Sequence, residues 1–328
     1  MTHGRFVISL DFELHWGVAE LFDLNKTKDY FEATRKSIPQ VLSLFTKYDI
    51  HATWATVGFL FAKDKNELLS FSPEEKPQYK NQELSYYNMI DSDIVGEDEL
   101  SDPYHYAPSL IQQILETKGQ ELASHTFAHY YCTETGQDKM QFDADLKSAQ
   151  RISKAKFNIE LKSLVFPRNQ FNQEYLEIAR SNGITSVRTN PDVWFWKGTK
   201  MHMRLARLAD IFLPIAGRAA GKKKAHSENG VLLLPADRFL RPYRRSEKLL
   251  HALKFSRIKM EMKSAAQNNL DYHLWWHPHN FGYDTKENLQ YLEDILKYYS
   301  VLKEKYDFRS YSMGECAGET ENNRGDVN

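Results

Sequence analysis

Two histidines four residues apart, His125 and His129 in the run Ser124-His125-Thr126-Phe127-Ala128-His129, are the sharpest chemical signal in the chain. On one helical turn such a pair shares a face, with ring nitrogens close enough to share a divalent metal. Thr126 stands where the helix of an HExxH metalloprotease carries its catalytic glutamate, so a base must come from elsewhere. Asp11 and Glu13 supply the missing charge. They end the first strand-like run two residues apart, and point the same way if the backbone stays extended. One can ligate a metal while the other takes a proton from water, and spacing alone does not say which.

Two further clusters follow strand-like runs. His277 and His279 sit in Trp275-Trp276-His277-Pro278-His279, where an imidazole suits protonation of a leaving amine or stabilisation of an oxyanion. Arg168, after Phe166-Pro167, can orient a carboxylate base or bind a polar substrate, and Arg188 competes for that role. Trp194 and Trp196 offer flat faces that suit a sugar ring. Each residue also has a plain structural alternative, such as a buried histidine, a packed tryptophan or an exposed acid opening a loop. The grouping of all four clusters at strand ends favours chemistry.

The elements that must position these residues alternate. Strand-like runs at 5–10, 51–57, 120–124, 162–166, 184–188, 231–234, 272–276 and 308–311 are interleaved with helical patterns at 29–48, 108–118, 139–157, 172–182, 244–267 and 286–305. Seven or eight short apolar strands separated by helices predict a parallel sheet covered on both faces, either a barrel or a doubly wound sheet. Two stretches break the alternation, 64–106 and 190–230, and both are read as insertions after strands, the second as a long loop. One barrel over 1–316 and a flexible polar tail over 317–328 complete the expected organisation.

With 328 residues, 44 acidic and 43 basic side chains, 41% apolar residues and two cysteines, the composition excludes disordered, collagenous and disulfide-rich chains. No apolar run reaches the ~20 residues of a membrane span, and the opening residues lack a signal-peptide pattern, which together predict a cytoplasmic protein. Charge is polarised along the chain. Residues 200–263 hold sixteen basic and five acidic side chains, whereas 64–102 hold eleven acidic and three basic. The basic stretch, above all the loop at 217–224, either meets an anionic carrier or membrane surface or is a solvated face. It carries no nucleic-acid recognition motif.

The order Asp11-Phe12-Glu13, His125 and His129, Pro167-Arg168, then His277-Pro278 resembles the polysaccharide deacetylases, the carbohydrate esterase family 4 group of metal-dependent amide hydrolases. The resemblance runs over residues 5–312. The family's first motif usually reads TFDDG, with the first aspartate as base and the second on the metal; Ser9-Leu10-Asp11-Phe12-Glu13 is similar to a variant branch with its two acids one residue apart. By that resemblance Asp11 is the base, Glu13 joins His125 and His129 on the metal, and His277 is the leaving-group acid. It further implies a distorted (β/α)7–8 barrel, one divalent ion such as zinc, and removal of an N-acyl, chiefly N-acetyl, group from an amino sugar. The expected substrate is a nucleotide-linked or lipid-linked precursor of a surface polysaccharide. Two rivals stand beside it: a small-molecule amide hydrolase of the allantoinase-like type, and a non-catalytic barrel that binds a partner in glycan assembly.

Overall fold

The first apolar run forms strand β1 (Arg5–Phe12), buried along its whole length because neighbours flank it on both edges and both faces. The computed structural model describes residues 3–92, 94–191, 193–196, 200–212 and 225–325. The basic loop at 217–224, predicted to meet a carrier or membrane, lies outside the described residues.

From β1 the chain runs through α1 (Leu24–Lys47), β2 (Ala52–Thr56), α2 (Lys65–Phe71), α3 (Tyr87–Asp91), α4 (Pro108–Glu116), β3 (Gln120–Ser124), α5 (Lys139–Phe157) and β4 (Ser163–Leu164). It continues through α6 (Gln173–Ser181), β5 (Ser186–Thr189), α7 (Met201–Asp210), β6 (His226–Glu228), β7 (Val231–Pro235) and β8 (Arg238–Phe239). It ends with α8 (His251–Gln267), β9 (Tyr272–Trp276), α9 (Thr285–Tyr306), β10 (Arg309–Tyr311) and α10 (Met313–Gly325). Across the sheet the order is β6, β7, β5, β4, β3, β2, β1, β9, β8, with β10 also beside β1. Every pairing is parallel except β6 with β7. The sheet curls as a distorted barrel whose hydrogen-bonded path ends at β6 and β8, so among the described residues no ladder closes the ring.

Helices cover the outer face, and the inside of the curl is filled from one end. Val7, Ala55, Ala123, Val165, Leu232 and Leu234 point inward and pack on Met313, Cys316 and Ala317 of α10. The stretch expected as a flexible tail from 317 is therefore helical through Gly325, anchored by the buried start of that helix. The opposite end, where the strands finish, stays open to the loops.

Both predicted insertions carry structure. Residues 64–106 contribute α2, α3 and buried Tyr79, Tyr86, Tyr87, Ile90 and Tyr106, so this acidic stretch packs on the barrel. Within 190–230, read as one long loop, lie α7 and the β6–β7 hairpin. The hairpin turns at Asn229 and Gly230, φ 48° and 78°, the pair that a two-residue primed turn demands.

Candidate active site

Asp11 leaves β1 still paired with Ala55, and Glu13 follows just beyond the strand end. The chain then reverses tightly enough that a Cβ at Gly17 would collide with the Glu13 carboxylate. Glycine at 17 thus lets the returning backbone lie against this acid.

His125 and His129 follow β3. The sequence reading placed them on a helical turn, and the structure corrects it. Thr126 (φ 62°) and His129 (φ 52°) are left-handed, so the segment is a loop that folds the two rings toward one point. Buried Asp145 of α5 pins it, accepting the Phe127 and Ala128 backbone N–H groups at 2.7 and 3.0 Å. Burial pushes this acid's pKa up to about 7, against the opposing pull of those two N–H groups.

The rings converge on Glu13. His125 Nε2 lies 3.0 Å and His129 Nε2 3.3 Å from the same oxygen, Glu13 Oε1, with all three side chains buried. His125 Nδ1–H donates to the Val165 carbonyl at 2.7 Å, which leaves the lone pair of a neutral ring on Nε2, aimed at the carboxylate. Two lone-pair faces meeting there call for a proton or a cation between them. Glu13 Oε2 is also buried and has no hydrogen-bond partner among the described residues. A carboxylate and two imidazoles within 4.8 Å of one another form a donor set that fits a divalent ion of the zinc type.

His129 is oriented from behind by a chain of hydroxyl groups. Its Nδ1 lies 3.0 Å from Tyr131 Oη, which lies 3.1 Å from Tyr86 Oη, which donates to Glu20 Oε2 at 2.9 Å. Run consistently, each group donates to the next, from the His129 N–H to the Glu20 carboxylate, and Nε2 is left free to ligate. None of these three partners was legible as a site residue.

Opposite the histidines, Arg188 of β5 grips Asp11 through two hydrogen bonds, 2.6 and 2.7 Å, while its guanidinium stacks 4.3 Å over the Trp275 ring. Burial would raise the Asp11 pKa, but the Arg188 charge and hydrogen bonds more than offset it and hold the acid below its ordinary value. Glu13 is likewise held well below, where burial is outweighed by the His277 charge and by the close approach of the His125 and His129 rings. His277 Nε2 stands 3.8 Å from Asp11 and 3.7 Å from Glu13, so it faces both acids.

The cleft in front has a volume of about 530 Å³, and Asp11, Glu13, His129, Trp196, Trp275 and His277 are among its walls. Of the two arginines that competed to orient the base, Arg188 lies on Asp11 and Arg168 lies at the cleft. Arg168 lines the cleft, held by Glu20 at 2.6 Å and lying 4.2 Å over the Tyr131 ring, and makes no hydrogen bond to the Asp11 base among the described residues. Arg188, read as able to orient the base or to bind substrate, is buried against Asp11 because β5 aims it inward. His279 is buried and stacked on His277, ring centroids 4.8 Å apart, and burial then the His277 charge depress its pKa to about 3. It props the His277 ring and does not line the cleft. Trp196 lines it, whereas half-exposed Trp194 stacks on His202 outside.

Residues 21–187 match the family model for polysaccharide deacetylase. The chain belongs to the polysaccharide deacetylase family. The matched span includes His125, His129 and Arg168 and stops short of Arg188 and His277. No curated protein sequence matches this family member. Among solved structures, a protein described as a polysaccharide deacetylase from Mycobacterium smegmatis superposes with TM-score 0.62 at 10% identity, covering 98% of this chain and 92% of that one. One from Pseudomonas aeruginosa gives 0.56 at 10% identity over 96% and 89%. A Puue allantoinase gives 0.51 at 11% identity over 94% and 85%, so the fold is shared with an allantoinase. The polysaccharide deacetylase fold therefore extends over nearly the whole chain, beyond the span that the family model matches.

Proposed function

We propose that this polysaccharide deacetylase family member is a metal-dependent N-deacetylase that removes an N-acetyl group from an amino sugar. The observation that carries the reading is the convergence of both histidine Nε2 atoms on Glu13 Oε1, with Asp11 and His277 facing the same point from the other side. Glu13, His125 and His129 would hold the ion. When bound, such an ion is a Lewis acid toward water and the amide carbonyl.

The remaining work belongs to the protein's own groups. Asp11, kept anionic by Arg188, takes the proton that water loses as its oxygen adds to the amide carbon. His277 gives a proton to the amide nitrogen, the C–N bond breaks, and free amine and acetate leave. Trp196 presents its ring to the sugar face, and His279 and Trp275 hold the His277 ring between them. The substrate proposed is a nucleotide-linked or lipid-linked amino-sugar precursor of a surface polysaccharide, met in the cytoplasm.

Acetate release from a panel of nucleotide-linked, lipid-linked and free N-acetyl sugars, with and without chelator, tests the proposal. Release that chelator abolishes and zinc restores is expected. Hydrolysis of non-sugar amides alone would favour an allantoinase-like hydrolase, and no release from any substrate would favour a non-catalytic barrel.

A further inference from the structure

We propose that the rim of the cleft formed by α7 and the start of α8 docks on an anionic lipid bilayer. Both segments follow strand ends, α7 after β5 and α8 after β8, so they share the end of the barrel where the cleft opens. On α7, Met201, Leu205 and Leu208 are 69, 59 and 48% exposed. Their i, i+4, i+7 spacing puts all three on one helical face, turned to solvent and not to the core. Around the α8 start, Leu249, Leu250 and Leu253 are 94, 40 and 47% exposed.

The charges beside these side chains decide the partner. Lys200 and Arg204 accompany the α7 stripe, and Arg244 and Lys248 the second group, all exposed. The acids of the same segments are turned away. Asp210 is buried against Arg238 and Arg257 at 3.2 and 3.6 Å, and Glu247 pairs with Arg241 and Lys254. That Asp210 cluster also ties α7 to α8 and β8, so the two apolar groups are held on one body. Apolar side chains flanked by cations, with no exposed acid among the described residues of either segment, match a bilayer whose anionic headgroups overlie an apolar layer. A protein partner would need an acidic surface with its own apolar counterpart. Docked this way, the cleft mouth would lie near the headgroups, within reach of a sugar on a lipid carrier. The inference concerns binding and does not depend on the proposed reaction.

Co-sedimentation of the full chain with vesicles tests it, comparing phosphatidylglycerol mixed into phosphatidylcholine against phosphatidylcholine alone. Binding only to the mixed vesicles is expected. Leu205→Glu with Leu249→Glu should abolish it, and Arg204→Gln with Lys248→Gln should weaken it by roughly fivefold per charge removed. Unchanged melting midpoints and unchanged hydrolysis of a soluble substrate would show that these exposed changes leave fold and chemistry intact. No binding to the mixed vesicles, or equal binding by the leucine variant, would overturn the proposal. So would a wild-type oligomer in lipid-free solution that the leucine variant dissociates, because a second copy of the chain would then be the occupant.

Discussion

Arg188 holds Asp11 through both carboxylate oxygens, a fork-to-fork pairing 2.6 and 2.7 Å long and buried from water. Such a pair fixes the acid's orientation as well as its charge. Because the folded pKa of Asp11 lies below its ordinary value of about 3.9, the ionised form and the stability it brings are present above that pH. Both are lost as pH falls through the lower folded value.

Removing the cation reverses this balance. In Arg188→Met burial acts on Asp11 without its counter-charge, so the acid limb of the kcat/KM profile should move to higher pH and turnover at neutral pH should fall tenfold or more, on the order of a lost general base. Arg188→Lys keeps a charge but not the fork, and should shift the limb less. A pH profile of Arg188→Met that overlays the wild type would remove Asp11 from the role of base.

Tyr131 and Tyr86 link His129 to Glu20 over contacts of 3.0, 3.1 and 2.9 Å. Each Tyr→Phe change deletes one relay and little volume, so metal affinity should weaken about 10- to 100-fold while stability drops by about 1 kcal/mol. Competition with a chromophoric chelator measures the first, and denaturant unfolding of the metal-free protein the second.

Gly17→Ala introduces a methyl group against the Glu13 carboxylate. The acid must swing away or the turn must open, so metal content should fall while the far-UV spectrum stays native. Full metal occupancy in this variant would show that Glu13 need not stand where it does.

His279 supports His277 by stacking and is neutral at physiological pH, its pKa lowered to about 3. His279→Phe keeps the stack without the second ring's polarity, whereas His279→Ala leaves the acid unsupported. The phenylalanine variant should retain most of kcat and the alanine variant should lose it, with KM nearly unchanged in both.

Much of this was legible in the sequence. Strand and helix periodicity pointed to a parallel sheet, because strands covered on both faces are continuously apolar, as β1 is, while the family resemblance chose the barrel over a doubly wound sheet. His125, His129, Glu13, Asp11 and His277 stood out because few structural roles place polar side chains at the mouths of apolar strands. The loop conformation that joins the two histidines was not visible. It depends on Asp145, eighteen residues from the N–H of Phe127 that it accepts, a long-range contact that leaves no local pattern. The same holds for Tyr86, brought to Tyr131 from a stretch that reads as a charged insertion. Which of Arg168 and Arg188 orients the base has a similar origin, since strand direction and not residue type decides which arginine faces inward. The β6–β7 hairpin is different: Asn229-Gly230 announced it locally, and the loop reading passed over it.

The account rests on Glu13, His125 and His129 as one metal centre. Metal content of the dialysed protein, wild type against the His125→Ala, His129→Ala double variant, tests it most directly. One equivalent of a divalent ion on the wild type and none on the double variant is predicted, because two of three ligands are gone and, of the neighbouring group Asp11, Glu13 and His277, Asp11 is taken up by Arg188. An equal, stoichiometric ion retained by the double variant would contradict it.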